Sequence, residues 1–260
     1  MKKILFNIFL LLTGILAYAQ DIKNIVYDAK AEVRKVGEFK GIEVSNAIAL
    51  YLSQGKESAL AISAENNAAN IKTEVVNGIL KIYVEGNLWN KWRRGDKMVR
   101  AYVTVKNIEK IIADNASLIR ITDKIISPDL KITLNGASNL KGDIQSNILR
   151  LDCSGASSST ATLNCKTVRV DLSGASTGRF TGSTDNLEID VSEASNFRAF
   201  DLVAIACSAE ASGASAVKVT VTKEFTKLKA SGASSIHYRG NAIVKNVESS
   251  GASSIKKESR

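Results

Sequence analysis

A motif of small residues recurs at nearly constant spacing through the second half of the chain, and this repeat limits the possible folds more than any other feature. The second residue of the SGAS-like motif falls at seven positions: Gly136, Gly155, Gly174, Glu193, Gly213, Gly232 and Gly251. These positions are equally spaced, except that the step from Glu193 to Gly213 is longer by a single residue. A degenerate copy, Asp114-Asn115-Ala116-Ser117, begins the series. This regularity indicates an array of equivalent structural units.

Apolar and polar residues alternate ahead of each copy of the motif. Counting back from the glycine column, the second, fourth and sixth residues are mostly apolar, as in Leu172, Val170 and Val168. The residues between them are polar, as in Ser173 and Asp171. This period of two predicts a strand with one buried face and one solvated face.

The repeat unit is too short for a helix pair or a propeller blade, and it fits one coil of a β-solenoid. The sequence therefore predicts an all-β fold: a right-handed parallel β-helix of about 19-residue coils, with its regular part over residues 113–260. The alanine and serine that follow each glycine permit a sharp turn, and stacked serines can form hydrogen bonds between coils. A nucleophilic role for these serines is disfavoured, because His237 is the one histidine and no base is paired with them.

Residues 36–112 lack the strict period but still show β patterns. Asn77-Gly78 lies between two apolar runs and predicts a β-hairpin with a type I′ turn. We interpret residues 36–112 as an irregular β cap with the first coils, which shields the open end of the stack from edge pairing. Residues 20–35 form an N-terminal extension in this interpretation.

Residues 1–19 have the features of a signal peptide. Lys2 and Lys3 precede a short apolar run, and Ala17-Tyr18-Ala19 supplies small residues for cleavage. No later segment is apolar enough for an integral membrane span. An exported protein, in the periplasm or at the cell surface, is therefore expected.

The charge of the chain bears on its partners. Removal of Lys2 and Lys3 changes the formal net charge from +9 to +7. For an exported protein this excess favours anionic glycans or lipid headgroups over nucleic acid. The basic residues are scattered along the sequence, which suggests an ordinary solvated surface. Cys153, Cys165 and Cys207 have no zinc-ligand spacing and are expected to be buried, and no cofactor is expected.

Three short segments and the SGAS coils carry a family resemblance. They are FKGIEV at 39–44, ALYL at 49–52 and NGILKI at 77–82. Their order resembles the head GIN domain family, which is named for autotransporter-adhesin heads and is common in Bacteroidetes-type envelopes. The resemblance covers roughly residues 38–254. It implies a β-helical fold and an exported location, and it supplies no catalytic motif.

Two groups of residues are candidates for binding. The first lies in a loop of alternating aromatic and basic character, where indole rings could stack on sugars and guanidinium groups could hold acid groups: Trp89, Trp92, Arg93, Arg94 and Lys97. The alternative for this loop is that its tryptophans cover the first coils. The second group is an acidic column three positions before the glycine column: Asp152, Asp171, Asp190, Glu210 and Glu248. Asp152, Asp171 and Asp190 could form a weak cation site on the outer face.

We interpret the chain as a non-enzymatic binding scaffold of the cell envelope, adhesin-like, with an anionic glycan or another envelope polymer as the expected partner. Two alternatives stay open on the residues alone. One is a glycan-active β-helix enzyme that uses the acidic column, and the other is a purely structural envelope protein.

Overall fold

A computed structural model describes residue 28 and residues 30–64, 70–85 and 99–259. The predicted signal peptide and residues 20–27 lie outside this part of the chain. The described residues form strands and turns, with no α-helix among them. None of them belongs to a helix that is long and apolar enough to cross a membrane.

Nineteen strands form one continuous sheet in the described residues. The strands of the N-terminal part are β1 (Ala31–Arg34), β2 (Gly41–Val44), β3 (Ala49–Gln54), β4 (Ala59–Ser63), β5 (Ile71–Val76), β6 (Ile79–Val84), β7 (Arg100–Val105), β8 (Lys110–Ala113) and β9 (Leu118–Ile121). The long strands that follow are β10 (Ile125–Leu134), β11 (Asn139–Cys153), β12 (Ser158–Leu172), β13 (Thr177–Val191), β14 (Asn196–Ala211) and β15 (Ala216–Ala230). The chain ends with β16 (Ser235–Arg239), β17 (Ile243–Val244), β18 (Val247–Ser249) and β19 (Ser254–Lys257).

Each long strand pairs in parallel with its counterpart in the next coil, which confirms the predicted β-helix. Leu134 pairs with Cys153, Cys153 with Leu172, and Leu172 with Val191. The offset is the same at each of these steps and equals the regular spacing of the glycine column. Val191 pairs with Ala211, so the single longer offset falls in β14.

The interior of the stack consists of columns of apolar side chains. In β11 the buried residues include Leu140, Ile144, Leu149, Leu151 and Cys153. The alternation is kept from Leu140 to Ser146 and slips once, between Ser146 and Leu149, which marks a corner of the coil. All three cysteines are free and buried, as predicted. Burial raises the pKa of the Cys153 thiol to about 12, which keeps it protonated and unreactive.

The turn after each long strand has a left-handed residue at the glycine column. Its φ angles run from 70° at Gly155 to 75° at Gly174, and Glu193 has a φ of 59°. A Cβ on Gly174 would lie 2.6 Å from the carbonyl oxygen of Gly155 in the coil below, so glycine is also required for space. Asn46 and Asn115 have the same left-handed conformation, which extends this column into the N-terminal part.

The serine column joins adjacent coils, as its spacing predicted. The hydroxyl of Ser157 donates to the carbonyl of Ser154 at 2.7 Å and to that of Leu134, in the preceding coil, at 3.1 Å. Ser234 donates in the same way to Ala211 at 3.0 Å. Most of the stacked serines are thus structural, since their hydroxyls satisfy carbonyl groups at the end of the turn; the buried Ser138 hydroxyl is the exception and has no partner among the described residues.

The N-terminal part continues the stack, but not in chain order. β2 pairs in parallel with β8 on one side and with β6 on the other, while β3 lies between β9 and β7. The predicted hairpin is present as β5–β6, with left-handed Asn77 and Gly78 in its turn. β4 pairs antiparallel with β7, and β1 with β4, so antiparallel strands cover this end of the stack.

Replacement of Glu193 by glycine should stabilise the protein. A side chain at this left-handed position costs about 1 kcal/mol, and the coil has spread locally to admit it. The distance from Ala194 N to Gly174 O is 2.9 Å, against 2.5–2.7 Å for the equivalent bonds donated by Ala156, Ala175, Ala214 and Ala233. We expect a thermal melt of Glu193→Gly to show a melting temperature about 2–4 °C higher.

Gly174→Val is the matched opposite change, because it adds a Cβ at a left-handed site with no space for it. Its melting temperature should fall. A lower melting temperature for Glu193→Gly would show that the Glu193 side chain has a stabilising role that outweighs its backbone cost.

Candidate functional site

A column of basic side chains runs along one outer face of the stack. It lies five residues after the glycine column, and each member pairs with the next through the parallel ladder. We define the basic column by its eight positions: Arg120, Lys141, Thr160, Arg179, Arg198, Lys218, His237 and Lys256. With about 4.8 Å between coils, these positions span about 34 Å. Six lysines and arginines are therefore aligned in one column, an order that the scatter of basic residues along the sequence does not reveal.

The cations of the basic column have few anionic partners. Across the described ranges, only His237 of this column contacts a carboxylate: Glu258 Oε1 lies 2.6 Å from its Nδ1, which is an ion pair only when the imidazole is protonated. Like charges that face each other directly across a ladder destabilise a sheet. The unpaired cations therefore create a strip of positive potential that favours an external anion.

Two aromatic rings continue the basic column toward the N-terminal end. Arg120 pairs with Tyr51, and Tyr51 pairs with Tyr102. The two tyrosine rings stack with 5.2 Å between centroids. Both rings are only half-buried, so the face offers aromatic surface beside its cations.

The predicted binding loop lies outside the described residues. Trp89, Trp92, Arg93, Arg94 and Lys97 all fall within residues 86–98. These residues connect β6 to β7, and β7 is the strand that carries Tyr102. The loop is therefore joined in sequence to β7, whose Tyr102 is the last of the two aromatic rings that continue the basic column.

The acidic column lies on a different stretch of the coil, and its charges are partly paired. Lys131 contacts Asp152 at 2.8 Å, and Lys227 contacts Glu210 at 2.8 Å. Arg169 pairs with Glu188 at 2.8 Å rather than with the column. On this face, unlike the basic one, most cations have carboxylate neighbours.

In the acidic column, Asp171 and Asp190 are the carboxylates whose pKa values are raised by their surroundings. Desolvation is the largest cause that raises the pKa of Asp171, and repulsion from the Asp190 and Asp152 carboxylates adds to it. Desolvation and the carboxylates of Glu210 and Glu188 raise the pKa of Asp190. The described residues contain no group of three or more His, Cys, Asp or Glu side chains placed to hold a metal ion. A single file of carboxylates offers few oxygens to one ion, whereas Ca²⁺ takes six to eight.

The family of the chain follows from a match to residues 38–242, which are most of its length. The matching family is described as "Putative auto-transporter adhesin, head GIN domain". The chain belongs to this family. The resemblance seen in the sequence is thereby confirmed, and membership indicates an exported or surface-associated, adhesin-like scaffold.

Solved structures of low sequence identity share the fold. A "putative lipid binding protein" from Parabacteroides distasonis is 17% identical with a TM-score of 0.79, and the match covers 89% of this chain and 98% of that one. A "putative adhesin" from Parabacteroides merdae is 14% identical with a TM-score of 0.79, covering 88% and 95%. A "putative adhesin" from Bacteroides fragilis is 20% identical with a TM-score of 0.64, covering 88% and 96%. No curated protein matches the chain.

Asp171→Asn should stabilise the protein at neutral pH. An acid whose pKa rises on folding destabilises the folded state while it is ionised, and this penalty disappears as pH falls below the ordinary pKa of 3.8. In denaturant unfolding at pH 7 we expect the free energy of unfolding to rise by less than about 1 kcal/mol. The effect is small because the carboxylate is exposed and solvent screens its charge. The gain should shrink toward zero as the pH is lowered through the raised pKa.

Asp152→Asn is the control, because it removes the same charge but breaks the ion pair with Lys131. It should give no stabilisation at pH 7. An Asp171→Asn gain that persists unchanged at low pH would have a cause other than charge.

Proposed function

We propose that the chain is a non-catalytic scaffold of the cell envelope, in the periplasm or at the cell surface, that binds an anionic glycan along the basic column. The observation that carries this proposal is the row of lysines and arginines on a solvent-exposed face, none of which forms an ion pair among the described residues. Guanidinium groups at a fixed spacing suit the acid groups of a linear polymer, since they form paired hydrogen bonds with carboxylate or sulfate. The exported character of the family makes a glycan a better partner than nucleic acid.

The binding loop retains a part in this proposal. Its tryptophans and cations, Trp92, Arg93 and Arg94 among them, would extend the same aromatic and basic character from the strand that carries Tyr102. The weak cation site at Asp152, Asp171 and Asp190 is a separate proposal. It predicts that millimolar Ca²⁺ raises the melting temperature of the wild type and leaves that of the triple Asn variant unchanged.

Loss of two central cations should weaken polymer binding. The test titrates the exported chain with polygalacturonate at low and at physiological salt. Arg179→Gln combined with Arg198→Gln removes adjacent charges of the basic column and should cost about 1–2 kcal/mol, or roughly five- to thirtyfold in affinity. Added salt should weaken wild-type binding, because it screens exposed charges.

Arg150→Gln combined with Arg169→Gln is the matched control. These two arginines are also neighbours in adjacent coils, but each has a carboxylate partner, Asp129 or Glu188. The control should bind like the wild type. Equal losses in both double variants would show that affinity follows net charge alone.

A second arm combines Trp92→Ala, Arg93→Ala and Arg94→Ala to test the loop. Lost affinity with an unchanged melting temperature would support a contact role. A lowered melting temperature would support the alternative that the loop covers the first coils. Cleavage of the bound polymer during the titration would contradict the non-catalytic assignment.

A further inference from the structure

The coil from Glu193 to Gly213, which is one residue longer than the regular coils, contains a bulge on the face of the basic column. Arg179 pairs with Arg198, but the next pair joins Thr181 to Asp201. On the other side, Ala199 pairs with Val219, and pairing resumes only at Val203 with Thr220. The extra length is thus absorbed at residues 200–202. Bulges re-aim side chains and are common beside functional sites.

The bulge places an aromatic ring among the cations. The Phe200 side chain is half-buried, and the Arg239 guanidinium carbon lies 4.0 Å from the centroid of its ring. Lys218 Nζ lies 5.7 Å from the same centroid. The Thr220 hydroxyl donates to the Phe200 carbonyl at 2.7 Å, which fixes the bulged backbone. The ring is therefore held in place by its neighbours and is not a mobile surface side chain.

A groove of about 460 Å³ lies beside this ring, and its size is in the range of small-ligand sites. Five members of the basic column line it, Thr160 and four cations: Lys141, Arg179, Arg198 and Lys218. Asp143 and Asp201 line it as well, and in the described part of the chain neither forms an ion pair with these four cations. Phe200 lines the groove and Arg239 does not, so the ring stands between the groove and that guanidinium.

The Phe200 ring packs against a charged group whose hydrogen-bonding capacity the described residues do not fully satisfy. Within the described residues, Arg239 Nε is buried without a hydrogen-bond partner. An unsatisfied donor of a charged group costs free energy, and the ring of Phe200 compensates only through its electron-rich face. A flat apolar wall with cations beside it is an arrangement suited to a ring that carries an acid group.

We propose that the groove beside Phe200 is a subsite for one acidic sugar residue of the bound polymer. The sugar ring packs on the aromatic ring, while Arg179, Arg198 and Lys218 hold the acid group. This inference rests on the proposed function. It adds a distinction between a polymer of acidic sugars and a polymer of phosphates, which charge alone would not separate. A chain of phosphates has no ring to place against Phe200, so polyphosphate should use the cations and ignore the aromatic ring.

The test compares polygalacturonate with inorganic polyphosphate on the exported chain. Phe200→Leu keeps an apolar side chain but removes the planar face, and should weaken polygalacturonate binding about three- to tenfold. Its affinity for polyphosphate should stay at the wild-type value. Phe200→Tyr keeps the ring and should retain wild-type affinity for both polymers.

The Arg179 and Arg198 double variant separates the two proposals, because it should weaken binding of both polymers. If that variant loses affinity while Phe200→Leu does not, the sugar subsite is wrong and the basic column stands. If Phe200→Leu weakens both polymers equally, the ring only positions cations and the subsite is also wrong. If neither variant changes binding, or the wild type binds neither polymer, the proposed function itself fails.

Discussion

The parallel pairing of each residue with its equivalent one coil away is the constraint on which the rest of the structure depends. Equivalent residues of successive coils lie about 4.8 Å apart, so every position of the repeat forms a column. The side chain at each position must therefore pack against a similar side chain in the next coil. Leucine and valine do so inside the stack, serine does so by donating to carbonyls, and glycine does so at the left-handed turn. Glu193 is the exception among the regular SGAS coils, and the coil spreads by a few tenths of an ångström to admit it.

The same constraint explains why charge matters on this surface. A charged column repels itself unless its neighbours compensate, and the two charged faces solve this problem differently. On the acidic face, Lys131, Lys227 and Arg169 supply counter-charges within the coil stack. On the basic face, the contact of His237 with Glu258 is the one close carboxylate contact of the column in the described ranges. An anionic ligand can supply the negative charge that the cations of the basic column lack within the fold. This links the architecture to an adhesin-like role.

Much of the fold was predictable because the period and the alternation report directly on stacking and burial. The glycine column, the serine contacts, the Asn77-Gly78 hairpin and the buried cysteines all follow from local chemistry. The basic column is also encoded locally, because its members lie at the fifth position after each glycine, and Tyr51 occupies that position after Asn46. A pattern counted only backward from the glycine misses it. The bulge at Phe200 was visible as one longer interval, but its placement on the basic face depends on ladder registers that no local pattern encodes.

The order of strands at the N-terminal end has a consequence for how the chain is assembled as it is made. β2 and β3 each lie between two strands that come later in the sequence, β6 and β8 for one, β7 and β9 for the other. An emerging chain therefore cannot complete its first coil until residue 121 has appeared. From there on, each coil needs only the one before it, so growth can proceed coil by coil with short loop closures. The pairings of longest sequence separation, and with them the slow step of folding, therefore precede the regular repeats. In a chain that crosses a membrane N-terminus first, the irregular N-terminal part would be the template on which the later coils assemble.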